Sequence, residues 1–143
     1  MRIKILITAF LLLPSLAFCQ IIDQLGQSPS KLKWEQIQTP HFRIVFPAEV
    51  EKDAQRTANA LMNAYSDVAR SLGVLPRKIP IVIQNQTTDN NAFVTSEGRR
   101  AELFSTTPQN PNDMGMNNWL DELSLHEYRH VVQQDQSIVG WEK

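Results

Sequence analysis

The sequence predicts an α+β fold in which two helices pack on one face of a small mixed β-sheet. Apolar residues recur every three or four positions in two long segments, which indicates amphipathic helices. In several short segments they alternate with polar residues, which indicates strands. The length of 143 residues allows one domain. Because 14 Lys and Arg are balanced by 15 Asp and Glu, we expect no nucleic-acid partner.

The N-terminus has the three parts of a secretory signal peptide. Two basic residues precede an apolar run over 5–13, which Pro14 ends, and small residues stand at Ala17 and Cys19, three and one positions before the expected cleavage. A run of about nine apolar residues is too short to cross a bilayer, which needs about 20. We therefore expect residues 1–19 to be removed, leaving a secreted, periplasmic or cell-surface protein without a membrane span. Lipidation of Cys19 is the less favoured alternative, because bulky Phe18 stands where a lipobox has a small residue.

The first half of the remaining chain predicts an N-terminal arm, a strand and a helix. The arm covers residues 20–32 and mixes apolar with turn residues. Apolar side chains alternate over 41–46, which predicts a strand that Pro47 ends. From 48 to 72 they recur at three- and four-residue steps, and Gly73 follows as a C-cap. This second pattern predicts a long amphipathic helix.

The second half predicts three further strands and a second helix. The strands cover 78–84, 92–96 and 99–105, and the helix covers 119–136, capped by Asn117 or Asn118. Gly98 lies between the last two strands, which predicts a tight hairpin. The basic pair Arg99 and Arg100 at this turn is expected to be solvated.

The second predicted helix contains the segment HEYRH at positions 126–130, which matches the metal-binding pattern H-E-x-x-H. Residues four positions apart lie on one face of a helix, so His126 and His130 can hold one metal ion together. Glu127 lies at the edge of that face, where its carboxylate can take a proton from a water on the metal. Cys19 is the only cysteine, which excludes a cysteine-based zinc site.

The stretch Asn118–Gln133 resembles the active-site helix of zincin metallopeptidases, particularly the gluzincin, or peptidase MA-like, group. Residues 33–136 as a whole resemble the N-terminal half of that group's catalytic domain. The resemblance implies that His126 and His130 bind Zn²⁺, that Glu127 is the catalytic base, and that the substrate is a peptide or protein. In some secreted members of the group, this domain precedes a TolB- or WD-repeat-like β-propeller.

The resemblance also implies that the strand just before the helix is an edge strand that pairs with an extended substrate. Four residues of the strand over 99–105 are therefore expected to bind substrate: Ala101, Glu102, Leu103 and Phe104. The strand over 92–96 is the alternative.

One zinc ligand stays unassigned. The metzincin pattern would need Gly at the position of Gln133 and a third His three residues later, where the chain has glutamine. A gluzincin instead uses a Glu on a later helix, and Asp135 lies on the same helix and points away. Glu142 is the only acidic residue that follows. We therefore expect the third ligand beyond Lys143, so that residues 33–143 form a partial, C-terminally truncated domain that is inactive by itself.

Two functions follow from these observations. The first is a secreted zinc metallopeptidase that hydrolyses peptide bonds with a metal-activated water. The second is a catalytically inactive zincin-like scaffold or binding module attached to a β-propeller. The intact Glu127 favours the enzyme, because a scaffold has no need of the base.

Overall fold

A five-stranded mixed sheet forms the centre of the fold in the computed structural model, which describes residues 28–96, 98–109 and 118–141, with side chains described as far as residue 137. Its strands in chain order are β1 (Trp34–Gln38), β2 (Phe42–Pro47), β3 (Ile79–Gln84), β4 (Ala92–Thr95) and β5 (Arg100–Phe104). They lie in the order β1-β2-β3-β5-β4. Strand β3 is parallel to both of its neighbours, and each outer strand is antiparallel to its neighbour. The prediction of a mixed sheet is confirmed.

Two α-helices, α1 (Glu51–Leu72) and α2 (Trp119–Trp141), pack against each other and against the sheet. A short 3-10 turn at Ala48–Val50 precedes α1. Gly73 ends α1 with a φ of 71°, in the left-handed region that a helix C-cap needs. The second helix extends past its predicted end at residue 136. The predicted α+β arrangement is confirmed.

The core lies between the sheet and the two helices. Residues paired across neighbouring strands, such as Ile81 and Ala101, share one face of the sheet, and this face is covered by the helices. The largest fully buried apolar side chains come from both layers: Tyr128, Phe42, Phe46, Ile44, Leu61, Ile79, Ile83, Leu103, Val131 and Val132. In β2 and β3 the buried residues alternate along the strand, as the sequence predicts.

One strand is not evident from the sequence. The alternation over 41–46 predicts a single strand, whereas the structure has β1 and β2, which form a hairpin. The turn is closed where the amide of Thr39 donates to the carbonyl of Phe42 at 2.9 Å. Because β1 is an outer strand with most of its residues exposed, its sequence lacks the alternation of a half-buried strand.

The prediction that Ala101–Phe104 lie on the edge strand is wrong. Strand β5 pairs with β3 on one side and with β4 on the other, so it is an interior strand, and β4 forms the edge. The hairpin of β4 and β5 was predicted correctly. Either strand of a hairpin can be the outer one, however, and the pairing with β3 that decides the matter leaves no local pattern in the sequence.

Several predictions concern residues outside the described part of the chain: the signal peptide at 1–19, the lipidation alternative at Cys19, the first part of the N-terminal arm at 20–27, Asn117 as a helix cap, and Glu142 as a candidate ligand. Among the described residues, neither helix is at once long enough and apolar enough to cross a membrane.

Candidate metal centre

Helix α2 positions the three residues of the candidate metal centre. The helix begins after Asn118, whose side-chain oxygen accepts a hydrogen bond from the amide of Leu120 at 3.1 Å. Its first turn is held to α1 by Arg56, whose guanidinium makes two parallel contacts with the Asp121 carboxylate at 3.0 and 2.7 Å. The helix on which the site lies is therefore fixed at its N-terminal end by a cap and an ion pair.

Tyr128 sets the rotation of α2 about its own axis. Its side chain is 1% exposed and packs edge-on against Phe42, with ring centroids 5.2 Å apart, and lies 6.1 Å from Tyr65. Because this residue points into the core, His126 and His130 point outward on the other side of the helix, where both are exposed. Burial raises the pKa of the Tyr128 phenol, whose oxygen has no hydrogen-bond partner among the described residues.

The imidazoles of His126 and His130 face each other at a distance that suits a shared ion. Their Nε2 atoms lie 3.1 Å apart, and the rings are nearly perpendicular, with an interplanar angle of 80°. This separation of 3.1 Å is short enough for both nitrogens to lie at about 2.0–2.1 Å from one ion. One ligand atom from each histidine and one from Glu127 lie within 4.8 Å of one another. The two imidazole nitrogens and their spacing therefore fit a zinc ion, with the Glu127 carboxylate close to them.

Glu127 is the buried member of the group. Its side chain is 6% exposed, and burial raises the pKa of the carboxyl, while the two neighbouring imidazoles act in the opposite direction. A carboxyl with a raised pKa holds a proton more readily near neutral pH than an exposed one does. This is the property that a general base needs if it must also deliver the proton later.

The three residues open onto a groove of about 510 Å³ between α2 and the edge strand β4. The strand side is formed by Asn91–Val94, and the helix side by the metal centre with Gln133, Gln134 and Ser137. Of the two strands considered as substrate-binding candidates, it is therefore the alternative, β4, that borders the site.

None of the four residues predicted on the edge strand lines this groove. Ala101 and Leu103 are buried in the core, at 2% and 0% exposure. The Glu102 carboxylate accepts a hydrogen bond from Nε of Arg100 at 2.6 Å, and the ring of Phe104 lies against that of Phe93. These side chains stabilise the sheet, and both edges of β5 are paired with neighbouring strands.

Asp135 points away from the candidate metal centre, in agreement with its predicted position on the helix. The carboxylate lies on another side of α2, where it is bound by the guanidinium of Arg99 and by the backbone amide of Arg77. The expectation that Arg99 and Arg100 are solvated is wrong. Each is paired with a carboxylate that is 7% exposed, and their own side chains are 21% and 29% exposed.

Gln133 is a residue of the site that the sequence analysis missed as a partner of the histidines. Its side-chain oxygen lies 3.1 Å from Nδ1 of His130, one helical turn away. The three-residue spacing is a signal that could have identified it, since such neighbours meet on a helix surface.

Comparison of the chain with protein-family models, with curated proteins and with solved structures gives no match.

Proposed function

We propose that this chain supplies the metal-binding helix and the substrate-facing strand of a secreted zinc metallopeptidase of the gluzincin type. The observation that supports the proposal most is the pair of Nε2 atoms 3.1 Å apart beside the buried carboxyl of Glu127. All three residues face a groove that an edge strand borders. Secretion rests on the signal-peptide pattern of residues 1–19.

Each residue has a distinct task in this proposal. His126 and His130 would hold the ion through Nε2, and a bound zinc ion would supply polarisation of the scissile carbonyl and a water of lowered pKa. Glu127 accepts the proton of the attacking water and passes it to the leaving amine. Its position at the edge of the histidine face brings it near the reacting atoms without making it a ligand.

The edge strand β4 provides the place for an extended peptide. A peptide that lies along Ala92–Val94 can add to the sheet through main-chain hydrogen bonds, as in strand addition. Main-chain pairing of this kind does not depend on the sequence of the peptide. The proposed substrate is therefore an unfolded or extended segment of a peptide or protein.

The third zinc ligand is proposed to follow α2 in the chain. Catalytic zinc sites use three protein ligands and leave one position for water or substrate. Among the described residues, the group suited to a metal contains the two histidines and Glu127, which is needed as the base. A zinc-free scaffold joined to a β-propeller is the alternative, and the experiment below distinguishes the two.

The decisive experiment measures zinc content and peptide cleavage in the full-length protein and in two variants. Glu127→Gln should keep the zinc and lose hydrolysis, because the amide has nearly the same shape but cannot accept the proton. His126→Ala should lose both. Glu51→Gln, which neutralises an exposed carboxylate on α1, is the control and should change neither.

Either of two results would contradict the proposal. Full activity in Glu127→Gln would show that another group is the base. A full-length protein that binds no zinc would favour the scaffold.

A further inference from the structure

The two histidines of the metal centre have different surroundings at the nitrogen that faces away from the ion position. Nδ1 of His130 lies 3.1 Å from the side-chain oxygen of Gln133. For His126, the one hydrogen bond found among the described residues joins its Nε2 to Nε2 of His130. Within the described part of the chain, the candidate metal centre is therefore asymmetric, with contacts at both nitrogens of His130 and at one nitrogen of His126.

With its side-chain oxygen turned toward the ring, Gln133 favours one of the two neutral tautomers of His130. A carboxamide oxygen can only accept a hydrogen bond, so Nδ1 of a neutral His130 must be the donor. The proton of the neutral ring is then on Nδ1, and the lone pair is on Nε2, which faces His126. An imidazole binds a metal through its unprotonated nitrogen. Zinc therefore meets a ring that already has the correct tautomer and orientation.

We propose that Gln133 is a positioning residue of the metal centre, which holds His130 as the Nδ1–H tautomer with Nε2 directed at the ion. This inference rests on the proposed function, because it assigns a task toward the same zinc ion. Hydrogen bonds to the second nitrogen of a metal-binding histidine fix the ring and raise its basicity, and their loss typically costs 10- to 100-fold in metal affinity. Because His130 and Gln133 are both exposed, we expect an effect near the lower end of this range.

The first test observes the tautomer without any metal. Long-range ¹H–¹⁵N NMR of the zinc-free full-length protein, at a pH where imidazoles are neutral, should show the His130 proton on Nδ1. In Gln133→Ala the population should shift toward the Nε2–H tautomer. A wild-type His130 protonated on Nε2 would overturn the inference, because Gln133 would then present its amino group to the ring.

The second test measures zinc affinity by competition with a chelator. Gln133→Ala should bind zinc about 10-fold more weakly, and Gln133→Glu should restore or exceed the wild-type affinity, because a carboxylate is a stronger acceptor at the same position. Gln136→Ala is the matched control. Gln136 is a glutamine on the same helix, and its side chain donates to the carbonyl of Leu72 on α1 at 3.0 Å. Its loss should lower the melting temperature and leave the zinc affinity unchanged.

The outcomes separate this inference from the function on which it rests. A wild-type protein that binds no zinc overturns both. Normal zinc binding with an unchanged affinity in Gln133→Ala overturns the role of Gln133 alone. Weaker binding in Gln133→Ala that Gln133→Glu rescues supports positioning of His130, since a merely structural role for Gln133 would not depend on an acceptor.

Discussion

Glu127 and Asp135 lie about two turns apart on the same helix and are equally buried, each at 6% exposure, yet their surroundings are opposite. The Asp135 carboxylate receives Nε of Arg99 at 3.1 Å and the backbone amide of Arg77 at 3.1 Å. Glu127 has two imidazoles nearby and no ion pair with Lys or Arg among the described residues, and burial raises the pKa of its carboxyl. The same degree of burial thus belongs to two different kinds of carboxylate.

Asp135 has a structural role because its charge is paired, whereas the carboxyl of Glu127 is free to exchange a proton. The charge of Asp135 is balanced by Arg99, whose guanidinium also donates to the carbonyls of Arg77 and Lys78. This ion pair joins α2 to the β4–β5 turn and to the start of β3. Glu127 has no such cation in the part of the chain that the structure describes, and burial is the main cause of its raised pKa. A buried acid without a fixed counter-ion beside two histidines is the arrangement expected of a functional site.

The largest expected effect on stability is that of removing Asp135. In Asp135→Ala the Arg99 guanidinium would stay largely buried without its partner, and the amide of Arg77 would lose its acceptor. Breaking one side of a buried ion pair costs about 3–5 kcal/mol, and because Arg99 is partly exposed we expect about 3 kcal/mol from urea unfolding. A loss below about 1 kcal/mol would show that the pair is unimportant and would remove the contrast with Glu127.

Asp67→Ala is the matched control for this measurement. Asp67 forms an ion pair with Arg70 on α1, but the side chains of both are about three-quarters exposed. Exposed ion pairs contribute about 0–1 kcal/mol. The control should therefore stay within about 0.5 kcal/mol of the wild type.

Glu102 sharpens the comparison, because it is a third carboxylate with similar burial, at 5% exposure. Its partner is Arg100, whose Nε donates to Oε1 at 2.6 Å, so Glu102 should behave like Asp135 and unlike Glu127. We expect Glu102→Gln to lower the free energy of unfolding by about 2 kcal/mol, since the amide weakens a charge-assisted hydrogen bond in a buried place. If Glu102→Gln left the stability unchanged, a buried carboxylate paired with an arginine would not by itself stabilise this fold.

The sequence predicts the local part of this site and none of its long-range part. The spacing of His126, Glu127 and His130 on a helix fixes their mutual arrangement, because all three belong to one element with a known period. The pairing of Asp135 with Arg99 depends on a turn in which Arg99 has a φ of 31° and on the packing of α2 beside it. A turn residue with this conformation is not indicated by its type, since non-glycine residues with positive φ are uncommon.

The sheet shows the same division between local and long-range information. Each buried strand is predicted by its own alternation, as with Ile79, Ile81 and Ile83 in β3. The order of the strands is set by contacts between distant segments, so the edge was assigned to β5 although β4 occupies it. β1 was missed because its exposed residues have no apolar period to detect. The groove depends on this order, so the sequence leaves two candidate strands for its strand side and does not decide between them.

The smallest expected effect is that of Glu127→Gln on stability in the zinc-free protein, and it has a defined pH dependence. Burial raises the pKa of Glu127 above the ordinary value of 4.5, so the folded state binds this proton more tightly than the unfolded state. The free energy of unfolding of the wild type must then fall as the pH rises from about 4.5 through the raised pKa of the folded state. Glu127→Gln removes this decrease, so its free energy of unfolding should equal that of the wild type in acid and match or exceed it at neutral pH.

Urea unfolding at a series of pH values in the presence of a chelator measures the difference, with Glu51→Gln as the exposed control. If Glu127→Gln were instead less stable than the wild type at neutral pH, the ionised carboxylate would be stabilised by a partner as Asp135 is, and the contrast between the two acids would fail.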